Sequence, residues 1–182
     1  MRGERMEDRS VIDGVIRSGR SADAEALDAL IRAHQDEGHL LPRTMVEIRR
    51  RTSRFVVCEA DGVIKACAEL AALSPEVAEI RSLVVAHDFR RIGVAARLVE
   101  EVRQRASAAG FATLCAFTHD AQFFVRQNFS IVPHLWLPDK IAIDCVSCPL
   151  FRRCTQHAMV LPLKEIPRYG VKDVEHRRVA VA

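Results

Sequence analysis

The sequence predicts one α/β (α+β) domain, a mixed and mostly antiparallel sheet of about six to seven strands flanked by helices. Three observations point that way. Phe55-Val56-Val57-Cys58-Glu59 and Val63-Ile64-Lys65-Ala66-Cys67-Ala68 flank Asp61-Gly62, a strong short hairpin signal, so two antiparallel strands meet there. The β-branched run Ser82-Leu83-Val84-Val85 leads through the basic turn Asp88-Phe89-Arg90-Arg91-Ile92-Gly93 into a segment with apolar residues at helical spacing, so a strand feeds a helix. Strand-like and helix-like runs of ordinary length then follow one another along the chain.

The elements follow in order. Val11 to Ile16 is a short apolar strand ending at Arg17-Ser18-Gly19-Arg20. Ser21 caps a helix from Ala22 to His34, whose Ala24, Leu27, Leu30 and Ile31 share one face. After Asp36-Glu37-Gly38, the Thr44 and Glu47 pair has capping-box spacing for a short helix carrying Met45, Ile48 and Arg49. The hairpin strands come next, then a loop at Pro75 and a strand from Val77 to Val85. The helix from Ile92 to Ala108 stops at Gly110, Thr113 to Phe117 is a buried strand, and Ala121 to Gln127 a short helix. Asn128 stands where a left-handed residue is wanted, before the strand Phe129 to Val132. Ala158 to Leu161 forms the last strand.

Composition bounds the function. With 182 residues, 49% hydrophobic and 28% charged, the chain holds one globular domain with a real core and no room for a second. Residues 1–10 form a charged, flexible N-terminus, residues 11–163 the domain with a Cys-rich segment at 144–157, and residues 164–182 a charged tail. The first residues are charged, without an apolar leader, and no apolar run approaches the ~20 residues that span a bilayer, so the expectation is a cytoplasmic protein with no membrane partner. A formal charge of +3 with interleaved signs gives no reason to expect nucleic acid.

The turn before the third helix carries chemistry. A helix N-terminus presents unpaired N–H groups and partial positive charge, which suits phosphate. Gly93 and Ala95 clear side-chain bulk where phosphate oxygens would approach, and Arg90 and Arg91 add donors at the rim. A helix that simply begins with arginines and packs with alanines has the same local pattern.

The string Arg90-Arg91-Ile92-Gly93-Val94-Ala95 resembles the pyrophosphate-binding signature of the GNAT acetyltransferase superfamily, Arg/Gln-x-x-Gly-x-Gly/Ala, and the element order from Val11 to Leu161 resembles that fold. The resemblance implies acetyl-coenzyme A as co-substrate. Its pyrophosphate would lie on backbone amides from Arg91 to Ala96, with Arg90 at the rim, and its pantetheine along Leu83, Val84 and Val85. Phe124 departs from the pattern, because many such enzymes carry there a tyrosine that protonates the leaving thiolate. Phenylalanine has no proton to give.

Further strings resemble the short bacterial N-acetylglutamate synthases: Leu40-Leu41-Pro42-Arg43-Thr44, Ala78-Glu79-Ile80-Arg81-Ser82-Leu83, Phe123-Phe124-Val125-Arg126-Gln127-Asn128-Phe129, and Leu137-Pro138-Asp139-Lys140-Ile141 followed by Asp144-Cys145 and Cys148-Pro149. That resemblance implies transfer of acetyl to the α-amino group of L-glutamate, the entry step of arginine biosynthesis. Glutamate brings two carboxylates, which favour Arg or Lys clamps, and an ammonium that must lose a proton before attack. Arg43, Arg81 and Lys140 are the candidate clamps and Glu79 the candidate base. A Glu79–Arg81 ion pair along one strand face is the plainer reading of those two residues. Another small amine, a protein N-terminus, or a non-catalytic regulator that binds acetyl-coenzyme A remain alternatives, and homodimerisation is compatible with all of them.

Of the six cysteines, Cys58, Cys67 and Cys115 sit in apolar runs and read as core. Cys145, Cys148, Cys154 and His157 offer a Cys3His set that zinc accepts, with packed thiols and a redox switch as the other readings. The metal assignment is left unknown. His119, near the substrate loops, reads as a base or as a structural residue.

Overall fold

A single seven-stranded sheet organises the computed structural model, which describes residues 14–35, 40 and 42–164. The charged ends, residues 11–13 of the expected first strand and the Asp36-Glu37-Gly38 break lie outside the described residues. The strands are β1 (Val15–Ser18), β2 (Phe55–Ala60), β3 (Val63–Ala72), β4 (Val77–Val85), β5 (Thr113–Thr118), β6 (Ser130–Val132) and β7 (His157–Pro162), in the spatial order β1-β2-β3-β4-β5-β7-β6. All neighbours are antiparallel except β4 and β5. The helices are α1 (Ala24–Gln35), α2 (Met45–Arg51), α3 (Val94–Ala108), α4 (Ala121–Arg126) and the single turn α5 (Pro138–Lys140), which continues as a π-helical turn through Ile141–Cys145.

Two layers of helix cover the sheet because its central strands are apolar on both faces, which no exposed sheet could be. Leu98, Val99, Val102 and Ala106 of α3 pack with Val56, Ala68, Ala78, Ile80 and Leu114 on one face. On the other, Leu27 and Ile31 of α1 and Ile48 of α2 pack with Phe55, Val57, Cys67 and Val84. Each such side chain, fully buried, contributes about 1.5–3 kcal/mol. A third cluster, Leu73, Cys115, Val132, Leu137 and Ala158, seats α5 against β5 and β7.

Local rules place most boundaries. Thr44 caps α2, accepting from the Glu47 N–H while Glu47 returns a bond to the Thr44 N–H, a complete capping box. Gly93 caps α3 at φ 88° and Asn128 follows α4 at φ 66°, both left-handed. Two boundaries differ from expectation. The first strand continues to Ser18, where a break was expected at Arg17, because the Arg17 guanidinium is absorbed by Asp23 and Glu59 at the sheet edge. The first helix begins with a 3-10 turn at Ser21–Asp23, and the cap position is Arg20, not Ser21; the Asp23 carboxylate accepts from the Arg20 N–H at 2.6 Å.

Candidate active site

β4 and β5 pair only from Val77↔Thr113 to Ile80↔Ala116. Beyond that point β4 stays with β3 as far as Val85 and β5 stays with β7 as far as Thr118, so the sheet splits. A bulge sharpens the split. Ser82 and Leu83 of β4 together face Ala68 of β3, with Ser82 at φ 47°, and bulges bend and twist the strand that carries them. The split opens a cleft of about 780 Å³ lined by both strands, the start of α3, Leu40, Pro42 and Arg43, and α5 with its π-helical turn.

One wall is a row of alternating charges across the sheet. Arg43, before α2, pairs with Glu69 of β3 through Nη1 and Oε2. Arg81 donates Nε–H to Glu79 Oε2 at 2.5 Å and pairs through Nη2 with Asp144 of the π-helical turn. Lys140 lies 2.7 Å from Glu79 Oε1 and 2.9 Å from Asp144 Oδ2, and its ammonium stands 5.2 Å from the centre of the Phe117 ring. Three cations thus face three carboxylates. Glu69 is sealed from solvent with Oε1 unpartnered among the described residues, and Glu79 and Lys140 are buried. Burial by itself would lower the Arg81 guanidinium, yet Glu79 and Asp144 hold it above its ordinary value. Beneath Glu79, burial and then the Glu79 charge push the Cys115 thiol up.

The opposite wall is the strand edge and the turn. Leu83, Val84, Val85, Arg90 and Ala95 line the cleft, whereas Arg91, Ile92, Gly93, Val94 and Ala96 are not among its lining residues. Val94 is buried in the core and Ile92 is exposed. Arg90 turns back so that its Nε donates to the Val85 carbonyl at 3.1 Å, and Arg91 sits at φ 67°. A Cβ at Gly93 would meet no protein atom within 4 Å, so the space over the start of α3 is open.

Phe124 lies in the floor, edge-on to Phe123 and Phe129. His119 lines the rim with Nδ1 3.5 Å from Thr155 Oγ1. The Cys3His set is not assembled: among the described residues there is no group of three or more His, Cys, Asp or Glu side chains that could hold a metal, and His157 stands exposed on β7, opposite Thr118.

The pattern of the Acetyltransferase (GNAT) family matches residues 22–129, a span that runs from α1 through the split and the Gly93 turn to β6. The chain belongs to the acetyltransferase (GNAT) family. It is 32% identical over 151 residues to an uncharacterized N-acetyltransferase of Chlorobaculum tepidum, covering 83% of this chain and 97% of that one. It is 30% identical over 127 residues to the amino-acid acetyltransferase of Pasteurella multocida, covering 69% of this chain and 29% of the relative. The N-acetylglutamate synthase of Neisseria gonorrhoeae, complexed with coenzyme A and N-acetyl-glutamate, superposes with a TM-score of 0.75 at 26% identity, covering 83% of this chain and 35% of that one. This acyltransferase domain therefore spans about a third of the amino-acid acetyltransferases it resembles.

The three expected clamps, Arg43, Arg81 and Lys140, come together with Glu79. Sequence reasoning gave no role to Glu69 or Asp144, the carboxylates that hold them. A charged residue inside an otherwise buried strand run marks Glu69, and the i,i+4 spacing to Lys140 marks Asp144.

Proposed function

We propose that this domain moves an acetyl group from acetyl-coenzyme A to the α-amino group of L-glutamate, the reaction that opens arginine biosynthesis. The observation that carries the reading is the split between β4 and β5, which sets an anion-binding helix start on one side of a cleft and three carboxylate-seeking cations on the other. The residues fit the co-substrate. Open space over Gly93, small Ala95, and N–H groups from Arg91 to Ala96 at the head of a 15-residue helix suit a diphosphate, and the edge of Leu83 and Val84 suits an amide-bearing arm. The Val85 carbonyl already accepts from Arg90, which leaves it a smaller part. When bound, acetyl-coenzyme A supplies the activated acetyl group.

The chain's own residues then do three things. Arg43, Arg81 and Lys140 receive the acceptor's carboxylates, and the fixed fork of arginine favours a two-point grip. Glu79 takes a proton from the acceptor's ammonium, directly or through water. Both Glu79 oxygens accept from cations before the acceptor arrives, so neither is free to take a proton. An acceptor carboxylate that draws Lys140 or Arg81 toward itself frees one of those oxygens, so proton removal awaits a correctly bound substrate. Phe124 leaves no acid at its position.

One observation favours a second reading, transfer to another small amine. Each clamp cation is already matched by a carboxylate, so the wall carries no net charge and a zwitterion with a neutral side chain would also fit. Purified protein incubated with acetyl-coenzyme A and a panel of amino acids, with release of free thiol as the readout, tests both. Release with glutamate supports the first reading. Release with other amines and none with glutamate replaces it, and no release with any amine leaves a regulator that binds the co-substrate without turning it over.

A further inference from the structure

His34 lies in the last turn of α1, buried, and lines the cleft. Both of its ring nitrogens face backbone carbonyl oxygens. Nδ1 is 2.8 Å from the Leu30 oxygen one turn back, and Nε2 is 3.1 Å from the oxygen of Val85 at the end of β4. A carbonyl accepts and never donates, while a neutral imidazole has one N–H and one lone pair. A neutral His34 can therefore satisfy one contact, and in either tautomer it sets a lone pair against the other oxygen. Only the imidazolium, with two N–H groups, satisfies both.

We propose that His34 is a proton-linked positioning residue, whose imidazolium form pins α1 to the end of β4 beside the Gly93 turn and is stabilised when an anionic co-substrate occupies the cleft. The inference rests on the reading of this cleft as a coenzyme A site.

His87, from the 3-10 turn after β4, stacks on His34 with ring centres 5.3 Å apart at 13°, and the Arg90 guanidinium donates to the same Val85 oxygen. Elsewhere on α1, Asp28 pairs with Arg32, while Asp88 beside His87 pairs with Lys65 and lends His34 no carboxylate. Arg43, Arg51 and Glu47 line the same cleft. A diphosphate arriving at the head of α3 adds negative charge to this cationic corner. Proton uptake and ligand binding are then linked, each favouring the other by the same factor.

Two measurements on the whole chain test this. Nitrogen-15 spectra of the free protein, with His34 assigned by its loss in His34→Gln, should show both ring nitrogens protonated at about pH 6, inside the ordinary imidazole range. Coenzyme A titrated calorimetrically in buffers of different ionisation enthalpy should show proton uptake that His34→Gln loses. Between about pH 7 and pH 8, wild-type affinity should fall by up to tenfold per pH unit, and the variant should be flatter. A neutral His34 ring at the lower pH overturns the inference, as does coenzyme A binding with the same proton uptake in both proteins. If coenzyme A does not bind at all, the cleft reading fails and the inferred link falls with it, a result distinct from binding without His34-linked protons.

Discussion

Lys140 of α5 and Glu79 of β4 meet at 2.7 Å with 8% and 2% of their surface exposed, and this pair ties the Cys-rich end of the chain to the strand that borders the cleft. Asp144 closes the arrangement by reaching both Lys140 and Arg81. Ions so deeply placed cost several kcal/mol each to desolvate, and removing one partner from a buried pair costs about 3–5 kcal/mol. Such a network makes a weak case for stability and a better one for function.

Glu79→Gln should lower kcat by about 10²- to 10⁴-fold, the usual contribution of a general base, with little change in affinity for acetyl-coenzyme A. Glu79→Asp, which keeps the charge, should retain more activity and guards against loss of fold. Steady-state kinetics decides: wild-type kcat in the glutamine variant would remove Glu79 from proton transfer.

Arg43→Ala should raise the KM for glutamate far more than that for acetyl-coenzyme A, because Arg43 is one of the cleft-lining cations proposed to receive the acceptor's carboxylates. It should also destabilise the fold by about 3–5 kcal/mol, since fully buried Glu69 loses its cation. Arg43→Ala combined with Glu69→Gln should recover much of the stability while the KM effect persists. Equal KM changes for both substrates would take Arg43 out of the clamp.

Gly93→Ala and Gly62→Ala place a side chain at φ 88° and φ 73°, so both should lose about 1–2 kcal/mol to left-handed strain. Neither added Cβ meets a protein atom within 4 Å. Only the Gly93 variant should lose coenzyme A affinity, and Gly93→Val should abolish it, as read by calorimetry. Undiminished affinity would contradict the placement of the diphosphate.

Thiol labelling of the native protein should modify Cys145, Cys148 and Cys154, which are partly exposed, and spare Cys58, Cys67 and Cys115 until the protein unfolds. Burial pushes the Cys67 thiol up to about 12, so its thiolate is scarce at neutral pH. Fast labelling of Cys67 in folded protein would mean that the α1 face of the sheet opens.

Asp23→Asn should weaken the fold on the alkaline side of the carboxylate range. Hydrogen bonds from Arg17, joined by the Arg20 N–H, hold the Asp23 carboxyl below its ordinary value. A carboxylate depressed in the folded state stabilises the fold above the unfolded pKa of about 3.9, and that stability is lost as pH falls through the folded value. The variant should therefore be less stable at neutral pH by about 1–3 kcal/mol, with a shallower decline in acid. Denaturant melts at several pH values would show it.

Local chemistry made much of the fold legible. Asp61-Gly62 set the hairpin, Thr44 and Glu47 set the start of α2, and Gly110 and Asn128 marked the joints after α3 and α4. Each works within about four residues, so a single sequence displays it. The first strand was read short because Arg17 looks like a stop until Glu59, distant in sequence, arrives beside it. The site divides the same way. Arg43, Glu79, Arg81 and Lys140 stood out as candidates, but their pairing with Glu69 and Asp144 depends on which strands lie side by side. His34 looked like an ordinary helix residue, and only the approach of Val85 gives its second nitrogen a partner.

The most direct measurement is a crystal structure of the protein with coenzyme A and N-acetyl-L-glutamate. The diphosphate should lie within hydrogen-bonding distance of N–H groups between Arg91 and Ala96, with the product's carboxylates on Arg43, Arg81 or Lys140. A diphosphate bound away from the Gly93 turn, or a product whose carboxylates ignore all three cations, would contradict the account.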